Sequence, residues 1–197
     1  MPVELTELVA ALDRGDVVVI PTDTVYGLAA RFDSTEAVRR IFEIKQRPPD
    51  KPLPVLASTM SDLSAVAMFG PLASELAASF WPGPLTLVLP RAEGFDADLG
   101  AGERDTVGVR VPEHRLTRRL LGECGPLAVT SANRSGQPPA TDAHSAAAEF
   151  PELLTLDGGP GAGQPSTVVS LVGRPTVLRP GALEEAVVRV IRAGDPS

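Results

Sequence analysis

The sequence is short of the residues that build metal centres and disulfide frameworks. It has one cysteine, Cys124, and two histidines, His114 and His144, in 197 residues. A single thiol forms neither a disulfide framework nor a cysteine metal cluster, and two imidazoles are too few for a zinc site without several carboxylates. This scarcity argues against a protein-bound metal centre and predicts a protein of a reducing compartment, so we expect it in the cytoplasm.

Long hydrophobic runs are missing as well. No stretch reaches the roughly 18 consecutive apolar residues that indicate a transmembrane helix. The N-terminus lacks the basic segment followed by an apolar run that marks a secretory signal. We therefore expect neither export nor membrane insertion.

Positive charge and aromatic rings are scarce. The formal net charge is −7, and aromatic residues make up 4% of the chain. Binding to nucleic acid without sequence preference depends on cations that displace phosphate counterions and on rings that stack with bases. The composition therefore argues against a surface that coats nucleic acid, although it leaves room for local basic clusters.

The remaining composition fits one globular domain. With 43% hydrophobic and 22% charged residues, a chain of this length buries one substantial core. We predict a single domain over residues 1–197. The 20 prolines, about twice the usual share, are scattered among apolar runs, so they indicate turns and not a linker.

Hydrophobic spacing predicts alternating helices and strands. Apolar residues at helical intervals predict helices within residues 5–12, 34–45, 61–67, 71–80, 116–121, 141–150 and 183–191. Short apolar runs predict strands at residues 17–20, 53–57, 85–89, 107–111 and 127–130, and near Leu153, Thr167 and Thr176. This alternation favours an α/β sheet covered by helices. Antiparallel pairing is expected around Val168 and Val177, where strands follow closely.

Polar residues follow several predicted strands. Residues 21–27 (PTDTVYG) come directly after the first strand, residues 130–133 (TSAN) end another, and Arg110 lies inside a third. Open α/β sheets bind ligands beyond the carboxyl ends of their strands, so these hydroxyl, amide and guanidinium groups are candidates for a binding site. The alternative for any one segment is that its polar residues only cap helices and form turns.

A proline-rich loop carries three cations. Lys45, Arg47 and Lys51 lie within residues 45–52 (KQRPPDKP). Fixed proline φ angles reduce the entropy lost when such side chains surround a triphosphate, for which arginine supplies a fork and lysine a point charge. The alternative is a solvated loop in which Lys45 stabilises a helix C-terminus.

The glycine-rich stretch at residues 158–163 is not a Walker phosphate loop. Gln164 stands where that motif requires lysine. We expect a loop that delivers Ser166 and Thr167 to the next strand. A hydrolase triad has little support either, because no Gly-x-Ser-x-Gly elbow is present.

Seven segments in order resemble the YrdC/TsaC family, the threonylcarbamoyl-AMP synthases. They are residues 21–28 (PTDTVYGL), 45–47 (KQR) with 51–53 (KPL), 81–86 (WPGPLT), 109–112 (VRVP), 130–133 (TSAN), 166–169 (STVV) and 178–181 (LRPG). The likeness extends from about Val17 to Gly181. The length resembles the short form of the family, without the additional C-terminal domain of longer members.

The resemblance implies a twisted, mostly parallel or mixed open sheet flanked by helices around a concave, basic cavity. It also implies a reaction in which L-threonine, bicarbonate and ATP, bound with Mg²⁺, yield threonylcarbamoyl-adenylate and pyrophosphate for threonylcarbamoyladenosine modification of tRNA. Downstream transfer enzymes would then be partners. By the same resemblance, the residues in contact with ATP would be Arg47, Lys51, Thr106, Ser131 and Arg179, with Lys45 and Asn133 supporting the phosphates. L-Threonine would be held by Thr24, Arg110 and Ser166.

One position departs from the family pattern. Some members have a histidine where this chain has Leu56, so the threonine contacts on that side are open. The chemistry requires positioning more than a nucleophile, because two anions must meet while cations, including Lys45, Arg47 and Arg110, neutralise their charge. Tyr26 and Trp81 are expected to shape walls.

Two other functions are consistent with part of the sequence. An RNA-binding module could use the same basic cavity, although the net charge and the few aromatic residues oppose it. A carbamoyl-transfer domain, similar to the related portion of hydrogenase maturation proteins, would be expected to carry further domains.

Overall fold

The computed structural model describes residues 4–46, 51–100 and 105–193. Within these ranges the helices are α1 (Leu5–Asp13), α2 (Thr35–Lys45), α3 (Pro71–Phe80), α4 (Arg115–Cys124), α5 (Ala143–Glu149) and α6 (Glu184–Ala193). The strands are β1 (Val18–Ile20), β2 (Gly27–Arg31), β3 (Val55–Leu56), β4 (Leu85–Pro90), β5 (Thr106–Arg110), β6 (Leu127–Ser131), β7 (Thr167–Ser170) and β8 (Thr176–Arg179). This order confirms the predicted α/β class.

Capping residues set the ends of the helices that lead into the polar segments. The Ser34 hydroxyl accepts a hydrogen bond from the Ala37 N–H at the start of α2, and Gln46 ends that helix in the left-handed conformation with φ of 51°. His114 caps α4 in the same way by accepting from the Thr117 N–H. The sequence-predicted boundaries of α2 are therefore confirmed.

The strands form one mixed sheet in the order β1-β2-β6-β3-β5-β4-β7-β8. Only β3–β5 and β4–β7 pair in parallel among these neighbours, and the other pairs are antiparallel. The mixed sheet is confirmed, but the expectation that parallel pairing predominates is wrong. Strand β2 was not predicted, and it follows β1 without a crossover helix, so the two strands must run antiparallel. The antiparallel pairing expected around Val168 and Val177 is confirmed, because β7 and β8 are antiparallel neighbours.

Two other predicted elements are shorter than expected. Residues 61–67 contain only a 3₁₀ turn, Ser61–Leu63, and the strand predicted near Leu153 is reduced to a bridge between Thr155 and Val19. Both segments have the apolar residues of an element, but too few consecutive backbone hydrogen bonds to extend one. Apolar content alone did not determine their length.

Strands β1, β2 and β6 are buried on both faces. Val19 and Leu28 face one hydrophobic cluster, which includes the apolar faces of α2, α3 and α6, while Val18 and Ala29 face a second cluster against α1 and α4. Strands covered on both sides are continuous apolar runs, and for this reason β1 and β6 could be predicted. None of the helices in the described ranges is long and apolar enough to span a bilayer.

Candidate active site

A cavity of about 390 Å³ lies over the central strands of the sheet. The polar groups around it come from the segment before β2, from β4, β5 and β6, and from the ends of β7 and β8. They include Thr22, Thr24, Thr86, Thr106, Arg110, Thr130, Ser131, Asn133, Ser166 and Arg179. Because β4, β5 and β6 lie close together in the sheet order, residues distant in sequence meet here.

The structure brings together seven of the ten residues that the sequence singled out. Those that line the cavity are Thr24, Thr106, Arg110, Ser131, Asn133, Ser166 and Arg179. Lys51 is exposed on the surface beside Pro52, which contributes to the cavity wall. Arg47 lies within residues 47–50, outside the described residues.

Lys45 lies behind the cavity and hydrogen-bonds to residues of its wall. Its side chain is buried, and Nζ donates to the carbonyl oxygens of Ser131 and Asn133 at 2.6 and 2.9 Å and to Asn133 Oδ1 at 2.8 Å. The Ser131 hydroxyl also donates to Asn133 Oδ1 at 2.6 Å. The ammonium therefore fixes the segment that carries two predicted phosphate contacts. Burial rules out the alternative of a solvated lysine, but Lys45 is not among the residues that line the cavity, so its predicted support of the phosphates stays a prediction.

Arg110 is buried at one end of the cavity. Its Nε donates to the carbonyl of Gly83 at 3.0 Å, Nη1 donates to the Thr24 hydroxyl at 3.2 Å, and Nη2 forms an ion pair with Asp23 at 2.5 Å. Burial lowers the pKa of Arg110 from its ordinary value, and the Asp23 carboxylate opposes that shift. An arginine nevertheless stays charged at neutral pH. Arg110 thus presents a rigid guanidinium to the cavity.

Arg179 forms a second arginine–hydroxyl group in the same cavity. Its Nη2 donates to the Ser166 hydroxyl and to the Ser166 carbonyl, both at 2.9 Å. The hydroxyls of Ser166 and Thr86 are hydrogen-bonded at 2.8 Å. The parallel pairing of β4 with β7 places Thr86 opposite Val168, and Ser166, two residues before Val168, comes within reach of it. Burial also lowers the pKa of Arg179. The positive charge of Arg179 also lowers the pKa of Arg110, so the two guanidinium groups are close enough to interact electrostatically.

Sequence reasoning assigned no ligand to three hydroxyl groups of the site. They belong to Thr22, Thr86 and Thr130, which all line the cavity. The Thr22 hydroxyl donates to the Val25 carbonyl and is 2.9 Å from the Thr24 hydroxyl, so it shapes the segment before β2. All three residues lie inside the quoted motifs, and this was the available signal.

The walls around these groups are largely apolar. Tyr26 is fully buried, its hydroxyl donates to the Gly159 carbonyl at 2.8 Å, and burial raises its pKa. Trp81 packs edge-on against Phe69 and donates to the Leu85 carbonyl at 2.7 Å. Tyr26 lines the cavity as expected, whereas Trp81 is not among the lining residues and has a packing role. Leu56 lines the cavity and gives it an aliphatic surface.

The glycine-rich segment, residues 158–163, packs against the backbone of two neighbouring segments. Gly161 N donates to the Thr141 carbonyl and Gly163 N donates to the Thr24 carbonyl, each at 2.8 Å. A Cβ added at Gly161 would lie 2.7 Å from the Thr24 carbonyl oxygen. The predicted loop is confirmed, and its close approach to the backbone explains why glycine is required there.

Gly161→Ala is expected to lower the free energy of unfolding by about 1–3 kcal/mol, because the methyl group must push two backbone segments apart. Urea denaturation measures the change. Gly70→Ala is the matched control, since a Cβ at Gly70 would meet nothing within 4 Å; a smaller loss of about 0.5–1 kcal/mol is expected there because alanine is a poorer N-cap than glycine. Equal losses in the two variants would contradict the close-packing explanation.

Comparisons with known proteins give consistent matches over most of the chain. The family model Sua5_yciO_yrdC, described as "Telomere recombination", matches residues 10–181. A relative from Pyrococcus abyssi, named threonylcarbamoyl-AMP synthase, is 44% identical over 185 residues, which are 90% of this chain. The chain spans about half the length of its longer relatives, 54% of the Pyrococcus protein and 56% of one from Bacillus subtilis.

A shorter relative and a solved structure match as well. The threonylcarbamoyl-AMP synthase of Chromohalobacter salexigens is 38% identical over 179 residues, which cover 89% of this chain and 96% of that protein. The crystal structure of Pyrococcus abyssi Sua5 complexed with L-threonine superimposes with a TM-score of 0.84 and 39% identity, over 97% of this chain and 59% of that one.

Proposed function

The chain belongs to the Sua5/YciO/YrdC family, and we propose that it is a threonylcarbamoyl-AMP synthase. This nucleotidyltransferase forms threonylcarbamoyl-adenylate and pyrophosphate from L-threonine, bicarbonate and ATP, and its product supplies threonylcarbamoyladenosine modification of tRNA. One observation carries the proposal: the buried Arg110, the solvent-accessible Arg179 and hydroxyls from distant segments converge on one cavity. A synthase almost wholly covered by this chain adds support.

The two arginine groups suit two anionic reactants. Arg110 with Thr24 would hold the threonine carboxylate, and Arg179 would contact ATP together with Thr106, Ser131 and Asn133. Ser166, assigned to threonine, touches Arg179 at 2.9 Å, so the two subsites meet there. Such contact is what a reaction between bound anions needs.

The bond changes require no covalent enzyme intermediate. An oxygen of the threonine carbamate attacks the α-phosphorus of ATP, the bond from that phosphorus to the bridging oxygen breaks, and pyrophosphate leaves. Mg²⁺ would enter as part of the MgATP substrate. Fixed guanidinium and hydroxyl groups would stabilise the charge that develops at the phosphoryl group, with no reorganisation during the step. Lys45 would act indirectly, by holding Ser131 and Asn133.

Several wider assignments belong to the same proposal. We place the protein in the cytoplasm as a single domain over residues 1–197, with a cavity of net positive character. Downstream tRNA threonylcarbamoyl-transfer enzymes would receive its product. Arg47 and Lys51, which follow α2 in the sequence, would add ATP contacts, and RNA binding would be weak.

The purified protein with MgATP and bicarbonate is expected to release pyrophosphate only when L-threonine is present. A coupled pyrophosphate assay measures this, with reactions that omit threonine or bicarbonate as controls. Equal release without threonine would contradict the amino-acid assignment. No release, together with an RNA mobility shift at physiological salt, would favour the RNA-binding alternative.

A further inference from the structure

Asp23 is an acidic residue placed against the guanidinium of Arg110. Its Oδ1 accepts from Arg110 Nη2 at 2.5 Å and from the Glu113 N–H at 3.2 Å. Only 12% of the Asp23 side chain and 7% of the Arg110 side chain are exposed. The ion pair is therefore shielded from solvent, where a neighbouring charge acts strongly.

The carboxylate is charged although one of its oxygens makes no hydrogen bond. Asp23 Oδ2 is buried and accepts no hydrogen bond within the described residues. Neutralising the buried guanidinium of Arg110 is one role of this negative charge. The same charge also changes how strongly Arg110 attracts an anion from the cavity.

The pair makes the two arginines of the cavity electrostatically different. Three of the five N–H groups of Arg110 donate to acceptors in the described part of the chain, which leaves one on each terminal nitrogen. The charge of Arg110 is compensated by Asp23. Arg179 has no carboxylate partner among the described ion pairs, and its contacts are with the neutral Ser166.

We propose that Asp23 determines which anion binds at Arg110. Asp23 is not among the residues that line the cavity, so it acts on a ligand by compensating the charge of Arg110, which does line it. A compensated guanidinium suits an amino acid, which has no net charge, whereas a polyphosphate is attracted to uncompensated positive charge. Asp23 thus favours binding of the amino acid at Arg110 and binding of the phosphates at Arg179. This role rests on the proposed function and adds a specificity residue to it.

The test is Asp23→Asn, which keeps the shape and the acceptor oxygen but removes the charge. Inorganic pyrophosphate and L-threonine are titrated separately into the full-length protein by calorimetry. We expect the variant to bind pyrophosphate at least about tenfold more tightly than the unaltered protein. Pyrophosphate should also become competitive with L-threonine in the variant.

A matched control separates the local effect from a change in overall charge. Asp33→Asn also removes one carboxylate that pairs with an arginine, Arg31, but this pair is on the surface and not in the cavity lining. Its pyrophosphate affinity should stay within about twofold of the unaltered protein. Thermal unfolding identifies any variant that does not fold, and Asp23→Ser then serves as the second charge-neutral substitution.

The outcomes distinguish the inference from the proposed function. Pyrophosphate affinity that is unchanged or weaker in Asp23→Asn, or changed equally in Asp33→Asn, overturns the role of Asp23. Failure of the unaltered protein to bind L-threonine overturns the proposed function, while the effect of Asp23 on pyrophosphate is still measured.

Discussion

Arg110→Ala is expected to lower the threonine-dependent rate of pyrophosphate release by at least about 30-fold. Removing one partner of a buried, hydrogen-bonded charge pair costs roughly 2–5 kcal/mol in binding, and each 1.4 kcal/mol is about tenfold. Arg110 is buried and donates to Thr24, which is also proposed to hold threonine, and to Asp23. Initial rates at varied threonine concentration measure the loss.

The same substitution should also destabilise the fold, because it leaves Asp23 buried without its cation. Breaking a buried ion pair typically lowers the free energy of unfolding by about 3–5 kcal/mol. The double variant Arg110→Met with Asp23→Asn removes both charges, so it should recover stability without recovering activity. Arg39→Ala, at an exposed arginine on α2, is the control for loss of a cation. Activity in Arg110→Ala within threefold of the unaltered protein would refute the assignment.

Lys45→Met is expected to lower the free energy of unfolding by about 3 kcal/mol and to weaken ATP binding. Methionine keeps the apolar stem but leaves the carbonyls of Ser131 and Asn133 and the Asn133 side chain without their buried donor. For a protein of this size, such a loss lowers the Tm by roughly 6–12 °C. Calorimetry of unfolding and titration with an ATP analogue measure the two effects.

Lys51→Met is the matched control for Lys45→Met, since Lys51 is an exposed lysine at the other end of the same loop. Its Tm should change by less than about 2 °C, because surface substitutions seldom alter stability by more than 0.5 kcal/mol. If Lys45→Met kept both the original Tm and the original ATP affinity, the bracing of residues 131–133 by Lys45 would be disproved.

Elements with strong local signals were predictable. The apolar spacing and Ser34 cap of α2, and the β-branched run of β1, give those elements without any knowledge of the fold. Strand β2 was not predicted because its residues, Gly27–Arg31, include glycine and alanine and no β-branched residue. Its place in the sheet depends on pairing with β6, which is distant in sequence.

The candidate site shows the same difference between local signals, which could be predicted, and contacts between distant segments, which could not. Motif residues such as Thr24, Arg110 and Ser166 could be chosen from the sequence, but their partners could not. Pairing of Arg110 with Asp23 joins residues 87 positions apart, and the contact of Thr86 with Ser166 joins residues 80 apart. Nothing in either local segment specifies these contacts.

The sequence by itself determined the α/β class, most helices and the set of polar segments, because periodicity, capping and turn chemistry act over a few neighbouring residues. The tertiary structure alone decided that antiparallel pairing predominates in the sheet, that Lys45 points behind the cavity, and that Asp23 compensates Arg110. Burial and charge compensation depend on which segments meet in space, and that is fixed only when the whole sheet is assembled.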